Sequence, residues 1–176
     1  MRGTHRKMLS DWEAPYLQAM ARQIETQSKE TLARLAVVYA ERVILPLWTS
    51  HNPGDERPRE ALDAAKAWLT GEVKLPQAKP AILACHAAAR ETAANPVAQA
   101  SARAIGQSAS TIHSAQHCIG LALYGALAVA YDRLGIQARW CDLEQFAAEE
   151  CGRMLDALLA VSVPDEPQPA KINWQC

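Results

Sequence analysis

The stretch NPVAQASARAIGQSASTIHSAQHCIGLALYGALAVAYDRLG, residues 95–135, decides the fold. Asn95 is a preferred N-cap and Pro96 is pre-set for a first helical position, so the pair marks a helix start. Helical patterning then persists to Leu134, and Gly135 suits the residue that follows a helix C-terminus. At 1.5 Å per residue such a helix would reach ~58 Å. A chain of this length has a radius of gyration of about 16 Å. A break is therefore predicted near Cys118 to Gly120. Ile105, Ile112 and Ile119 recur at seven-residue spacing beside a stripe of Gly106, Ala109, His113, His117, Gly120 and Tyr124. The plain reading is a central helix buried on several sides; the functional one makes the small, polar stripe a docking groove.

Outward from this run, prolines and glycines punctuate further helical patterns, and no strand pattern occurs. Residues 14–27 read as a first helix with Pro15 in its first turn. Ser28 is the N-cap of a second over residues 29–45, which Pro46 ends or kinks. Residues 49–56 form a loop by composition, and Asp55 caps a third helix that ends near Gly71. Residues 73–79 read as a connector, with Pro80 opening a fourth helix. A last helix covers residues 139–161, with Leu143, Phe146, Ala147, Cys151, Met154, Leu155 and Leu158 inward. Six to seven helices joined by short turns predict an all-α helical bundle, with a short helical solenoid as the alternative. The domain expectation is a basic N-terminal segment (1–13), one all-α domain (14–163) and a Pro-rich extended tail (164–176). Trp174, in that tail, is expected to dock on a neighbouring surface.

Composition agrees. Alanine supplies about one residue in five of the 176, and a single Phe leaves the core to small and aliphatic side chains. Eighteen basic residues against nineteen acidic ones give a net charge of −1, so no nucleic-acid partner is expected. The basic start runs into Asp11 without an apolar segment, and no uninterrupted apolar run is long enough for a membrane span. Cytoplasmic location, with no membrane partner, is the expectation. The five cysteines, with no CxxC, read as reduced and mostly buried.

Chemistry is sparse. The chain has no phosphate loop, GxSxG, HExxH or EF-hand pattern. His113 and His117, at i and i+4, would share a helix face and can chelate a metal, with His86 facing them and Cys85 or Cys118 completing the set. The alternative is a structural or interface role. Residues 92–131 contain no Asp or Glu, which argues against a Glu-assisted hydrolase or a carboxylate di-iron bundle. Arg90 and Arg103 stand out as charges in or beside this stretch, as ion-pair partners or as ligand contacts. Residues 55–60 (DERPRE) form a mixed charge cluster at a helix start. Glu144, Glu149, Glu150 and Asp156 give the last helix an acidic side.

Three segments carry a resemblance. RPREALDAAKAWLTG (57–71), ACHAAAR (84–90) and ARAIGQSASTIH (102–113), followed by His117 and Tyr124, are similar in order to the corresponding runs of a bacterial family, the Imm-5-like putative immunity proteins. The similarity spans residues 57–134, and its specific positions are Arg57, Pro58, Trp68, Gly71, His86, Arg90, Gly106, His113 and His117. Gln107 stands where the family often has histidine. The resemblance implies an all-α, non-enzymatic binding protein that neutralises a toxin by occlusion, with no cofactor. Arg57, Arg59, Trp68, His86, Arg90, His113, His117 and Tyr124 are its candidate contacts. Two other readings stand beside it: a metal-binding protein or metal-dependent enzyme using His86, His113 and His117, and a homo-oligomer formed through alanine-rich faces.

Overall fold

The computed structural model describes residues 5–175. Eight α-helices run in the order α1 (Pro15–Ile24), α2 (Lys29–Tyr39), α3 (Leu45–His51), α4 (Arg57–Leu69), α5 (Leu75–Glu91), α6 (Pro96–Ser110), α7 (Leu127–Leu134) and α8 (Trp140–Val161). A π-turn at Ala40–Ile44 joins α2 to α3 in one rod, so the bundle presents seven rods, and among the described residues there is no strand. The alanine-rich, helix-favouring composition is thus expressed as an all-α bundle.

Two caps fall where the sequence places them, but Asp55 is not the N-cap of α4: Glu56 holds that position without a side-chain bond, and Asp55 Oδ1 accepts the Arg57 N–H (3.2 Å) from one residue further out. Ser28 Oγ accepts the Thr31 N–H (3.3 Å) and Asn95 Oδ1 the Ala98 N–H (3.2 Å). Gly135, at φ +84°, closes α7 in a conformation that side chains other than glycine's rarely adopt.

Four further expectations are corrected. Pro46 does not end its helix: the preceding π-turn, in which the Leu45 N–H reaches back to Ala40 O, widens the rod, and α3 continues to His51. The predicted loop accordingly begins only after His51. Helix α5 opens at Leu75 rather than Pro80, because the Gln77 side chain accepts the Lys74 N–H (2.8 Å) and stabilises the first turn. Pro80 then sits inside the helix. The break in the long run comes earlier than Cys118. Helix α6 stops at Ser110, a turn follows, and Ala115–Cys118 form a 3₁₀ turn. Ser110 Oγ and Thr111 Oγ1 bond back to Gly106 O (2.7 Å) and Gln107 O (3.2 Å), competition for carbonyls that weakens a helix end.

Helix α6 is the axis of the bundle: eleven of its fifteen residues are buried. It packs against α2, α3, α4, α5 and α7, while α8 covers α1, α2 and α7. Ile105, Ile112 and Ile119 are all buried, but the break distributes them over helix, turn and the start of the next rod. Trp48 lies in the same core with its indole N–H on Asp55 O (2.8 Å). Of the inward set on α8, Leu143, Ala147, Cys151, Met154 and Leu158 are buried, and Phe146 and Leu155 half-buried.

Both chain ends fold back on the bundle. Leu9 is buried and its N–H donates to Leu123 O (2.9 Å). The Gln27 side chain holds Val163 through two hydrogen bonds (2.7 and 3.1 Å), and the Ala170 N–H donates to Gln27 O. Trp174 docks on the chain's own surface, against Trp12 at 5.3 Å between ring centroids. Arg2, part of the basic start, and Cys176, the last of the five cysteines, lie outside the described residues. Among the described residues no helix is long and apolar enough to cross a membrane.

Candidate functional site

The antiparallel pair α4 and α5 carries five of the sequence-selected residues, Arg57, Arg59, Trp68, His86 and Arg90. Arg57 opens α4 and forks onto Asp55 (3.0 and 2.7 Å) and Glu91 (2.7 Å), tying the start of α4 to the end of α5. These hydrogen bonds hold both carboxyl groups below their ordinary values. The Arg57 guanidinium is therefore spent on its own chain. Arg59 is exposed and paired with Glu56 (2.9 Å). Trp68 is half-buried, with the Lys29 ammonium 5.2 Å from its ring.

A second group gathers where α5 crosses α6. His86 lies flat against Gly106, so close that a Cβ built on that glycine would sit 2.6 Å from the ring. Its Nε2 meets Ser110 Oγ at 3.3 Å, while the Ser110 hydroxyl proton goes to Gly106 O. The serine oxygen must then accept from His86, which puts the proton on Nε2 and leaves Nδ1 bare. Nδ1 is buried without a partner. Protonating it would create an N–H with nothing to donate to. Burial first, then the charges of Arg103, His117 and Arg90, lower the His86 pKa to about 4. His117, on the 3₁₀ turn, donates from Nδ1 to Gln107 Oε1 (2.7 Å), and its pKa is lowered by burial and by His113. Gln107 in turn packs under Gly120, where a Cβ would meet its side chain at 2.4 Å. The His86 imidazole is therefore neutral at pH 7.

The expected i, i+4 pair on one helix face is not formed. Helix α6 ends before His113, which lies exposed in the turn, and His117 lies in the 3₁₀ turn, half-buried. Among the described residues no three His, Cys, Asp or Glu side chains converge as a metal would require. Cys85 donates to Ala102 O (3.3 Å), and burial pushes the Cys85 and Cys118 thiols up to about 12. Tyr124 sits half-buried on the π-turn Leu121–Ala126. Among the described residues no hydrogen bond or ion pair links Arg59, Trp68 or Tyr124 to the histidine cluster.

Structure adds three residues that sequence reading did not select for the site: Arg103, Gln107 and Ser110. Arg103 left a trace in the sequence as the lone charge in an acid-free run of forty residues. Nothing in the spacing points to Gln107 or Ser110 as partners of His117 and His86, because each pairing depends on the turn after α6.

A family model described as Imm-5 like putative immunity protein matches residues 22–157, well over half of the chain and every element from the end of α1 into α8. No curated protein and no solved structure matches.

Proposed function

The chain belongs to the Imm-5-like putative immunity protein family, and from that premise we propose that it acts as a non-enzymatic partner that occludes a toxin. The family match over residues 22–157 carries this reading. Residues 14–163 form its working domain, and its contacts are drawn from Arg57, Arg59, Trp68, His86, Arg90, His113, His117 and Tyr124. Occlusion asks the chain for a stiff surface rather than a reacting group. Stiffness is supported by two cross-links. Arg57 bridges to both Asp55 and Glu91, and Lys66 bridges Glu41 and Asp63, each at 2.7 Å. Arg57 contributes as the clamp that sets the α4–α5 geometry, whereas Arg90 and His113 are exposed to meet a partner surface directly and Arg59 is exposed as part of its pair with Glu56.

The test is capture of the tagged full chain from its native cells, followed by production of the retained protein alone and together with the chain. Growth arrest by the retained protein alone, relieved by the chain in a one-to-one complex of nanomolar affinity, is the expected result. A retained protein whose toxicity is unaffected by a bound chain would overturn the reading.

A further inference from the structure

Two arginines among the described residues are half-buried, and their surroundings differ. Arg57 is satisfied by two carboxylates. Arg103, on α6, makes no ion pair and no hydrogen bond among the described residues; it stands between Ala102, whose carbonyl accepts from Cys85, and Gly106, one turn on, which lies against His86. Its guanidinium has no counter-charge in the fold, and its five donors in a planar fork match a carboxylate. The chain itself cannot supply one from nearby sequence, since residues 92–131 hold no Asp or Glu.

The neighbouring face has further features. Leu83, His86 and Arg90 recur at i, i+3 and i+7 along one side of α5. Leu83 is the most exposed large apolar side chain of the described residues, at 55 %. Arg90 is exposed and likewise without an ion pair. His86, between Leu83 and Arg90 along α5, is neutral and adds no competing charge.

We propose that the α5–α6 face bearing Leu83, His86, Arg90 and Arg103 docks an acidic segment of a partner protein, with one carboxylate seated on the Arg103 fork and an apolar side chain on Leu83. This deepens the immunity reading and rests on it for the partner's identity. A polyanion such as nucleic acid fits less well. Only two arginines line the face, and a nucleic acid would leave Leu83 without an apolar partner while facing a chain of net charge −1. The protein segment satisfies the charge and the apolar side chain together.

The test titrates the full chain with an amidated hexapeptide of alternating leucine and glutamate, following arginine side-chain N–H and backbone resonances by NMR. A lysine-for-glutamate peptide, inorganic phosphate and a single-stranded oligonucleotide serve as comparators. Saturable shifts at Arg103 and along α5 with the acidic peptide are expected. Arg103→Gln should weaken binding at least tenfold and Leu83→Ser about threefold, while Arg34→Gln, an exposed arginine on α2, leaves it unchanged. Leu83→Ser, on a solvent-facing position, keeps the test decisive if Arg103→Gln fails to fold. The proposal is overturned by the absence of saturation, by equal affinity in both variants, or by phosphate or the oligonucleotide binding the same residues more tightly. Because the titration uses no toxin, its failure removes the acidic segment while a protecting complex still stands. Conversely, peptide binding without protection removes the immunity reading and keeps the site.

Discussion

Substituting alanine for Gly106 tests the contact on which the α5–α6 crossing is built. The new Cβ would lie 2.6 Å from His86 Cε1 and 2.7 Å from Nδ1, closer than unbonded carbon and nitrogen tolerate. The ring cannot swing away freely, because Nε2 is held by Ser110 and Nδ1 is buried. Overpacking of this kind costs about 1–3 kcal/mol, and displacing the ring forfeits the Ser110 bond, about 1 kcal/mol more. Against this, alanine in a helix interior gains about 1 kcal/mol over glycine. The net expectation is destabilisation by about 1–3 kcal/mol, which lowers Tm by roughly 2–4 °C per kcal/mol in a chain of this size. Gly152→Ala is the control. A Cβ there meets nothing within 4 Å, so only the propensity gain remains and Tm should rise. Thermal and urea unfolding of Gly106→Ala, His86→Ala and the double variant complete a cycle. In the His86→Ala background the Gly106→Ala change should turn neutral or stabilising. Refutation would be a Gly106→Ala protein as stable as the parent, or a cycle without coupling.

Two further outcomes follow from buried polar groups. His86 has its pKa lowered from 6.5 to about 4 by burial and the flanking cations, so between those values the unfolded chain takes up the proton first. The neutral-ring stability is fully present above pH 6.5 and is lost as pH falls towards 4, by about 1–2 kcal/mol once the ring's partial exposure is allowed for. Urea midpoints measured from pH 7.5 to 4.5 should show this slope, reduced in His86→Ala; an unchanged slope in that variant would remove the assignment. Glu150 is 3 % exposed and accepts from the Tyr39 hydroxyl and from Arg153 Nε, each at 2.6 Å. Glu150→Ala should cost about 2–3 kcal/mol and Tyr39→Phe about 1 kcal/mol. Equal, negligible losses by urea unfolding would show that the buried carboxylate is not held by these bonds.

Legibility followed the range of each interaction. Ser28, Asn95-Pro96 and Gly135 act within one turn, and all three boundaries stand where local chemistry puts them. The inward set of α8 was equally readable, because a 3.6-residue period survives along an uninterrupted helix. Pro46 as a helix stop and Pro80 as a helix start mislead for one reason: a proline reports a missing donor, but not whether a π-turn or an extra hydrogen bond upstream lets the helix run through it. The break after α6 was misplaced because apolar periodicity continues straight through Ile112 and Ile119. What ends the helix is the return of two hydroxyls to carbonyls at Gly106 and Gln107.

For the site, sequence alone selected His86, Arg90, His113 and His117 and noted the acid-free run around Arg103, since residue type and spacing are visible without coordinates. Whether His113 and His117 share a face, which nitrogen of His86 carries its proton, and that Arg103 is half-buried without a counter-charge were decided only by tertiary structure. Helix identity and caps are local properties, carried by propensity and hydrogen bonds a few residues apart. Charge state, tautomer and unsatisfied polarity are set by desolvation, and desolvation exists only once distant segments such as α5 and α6 are pressed together.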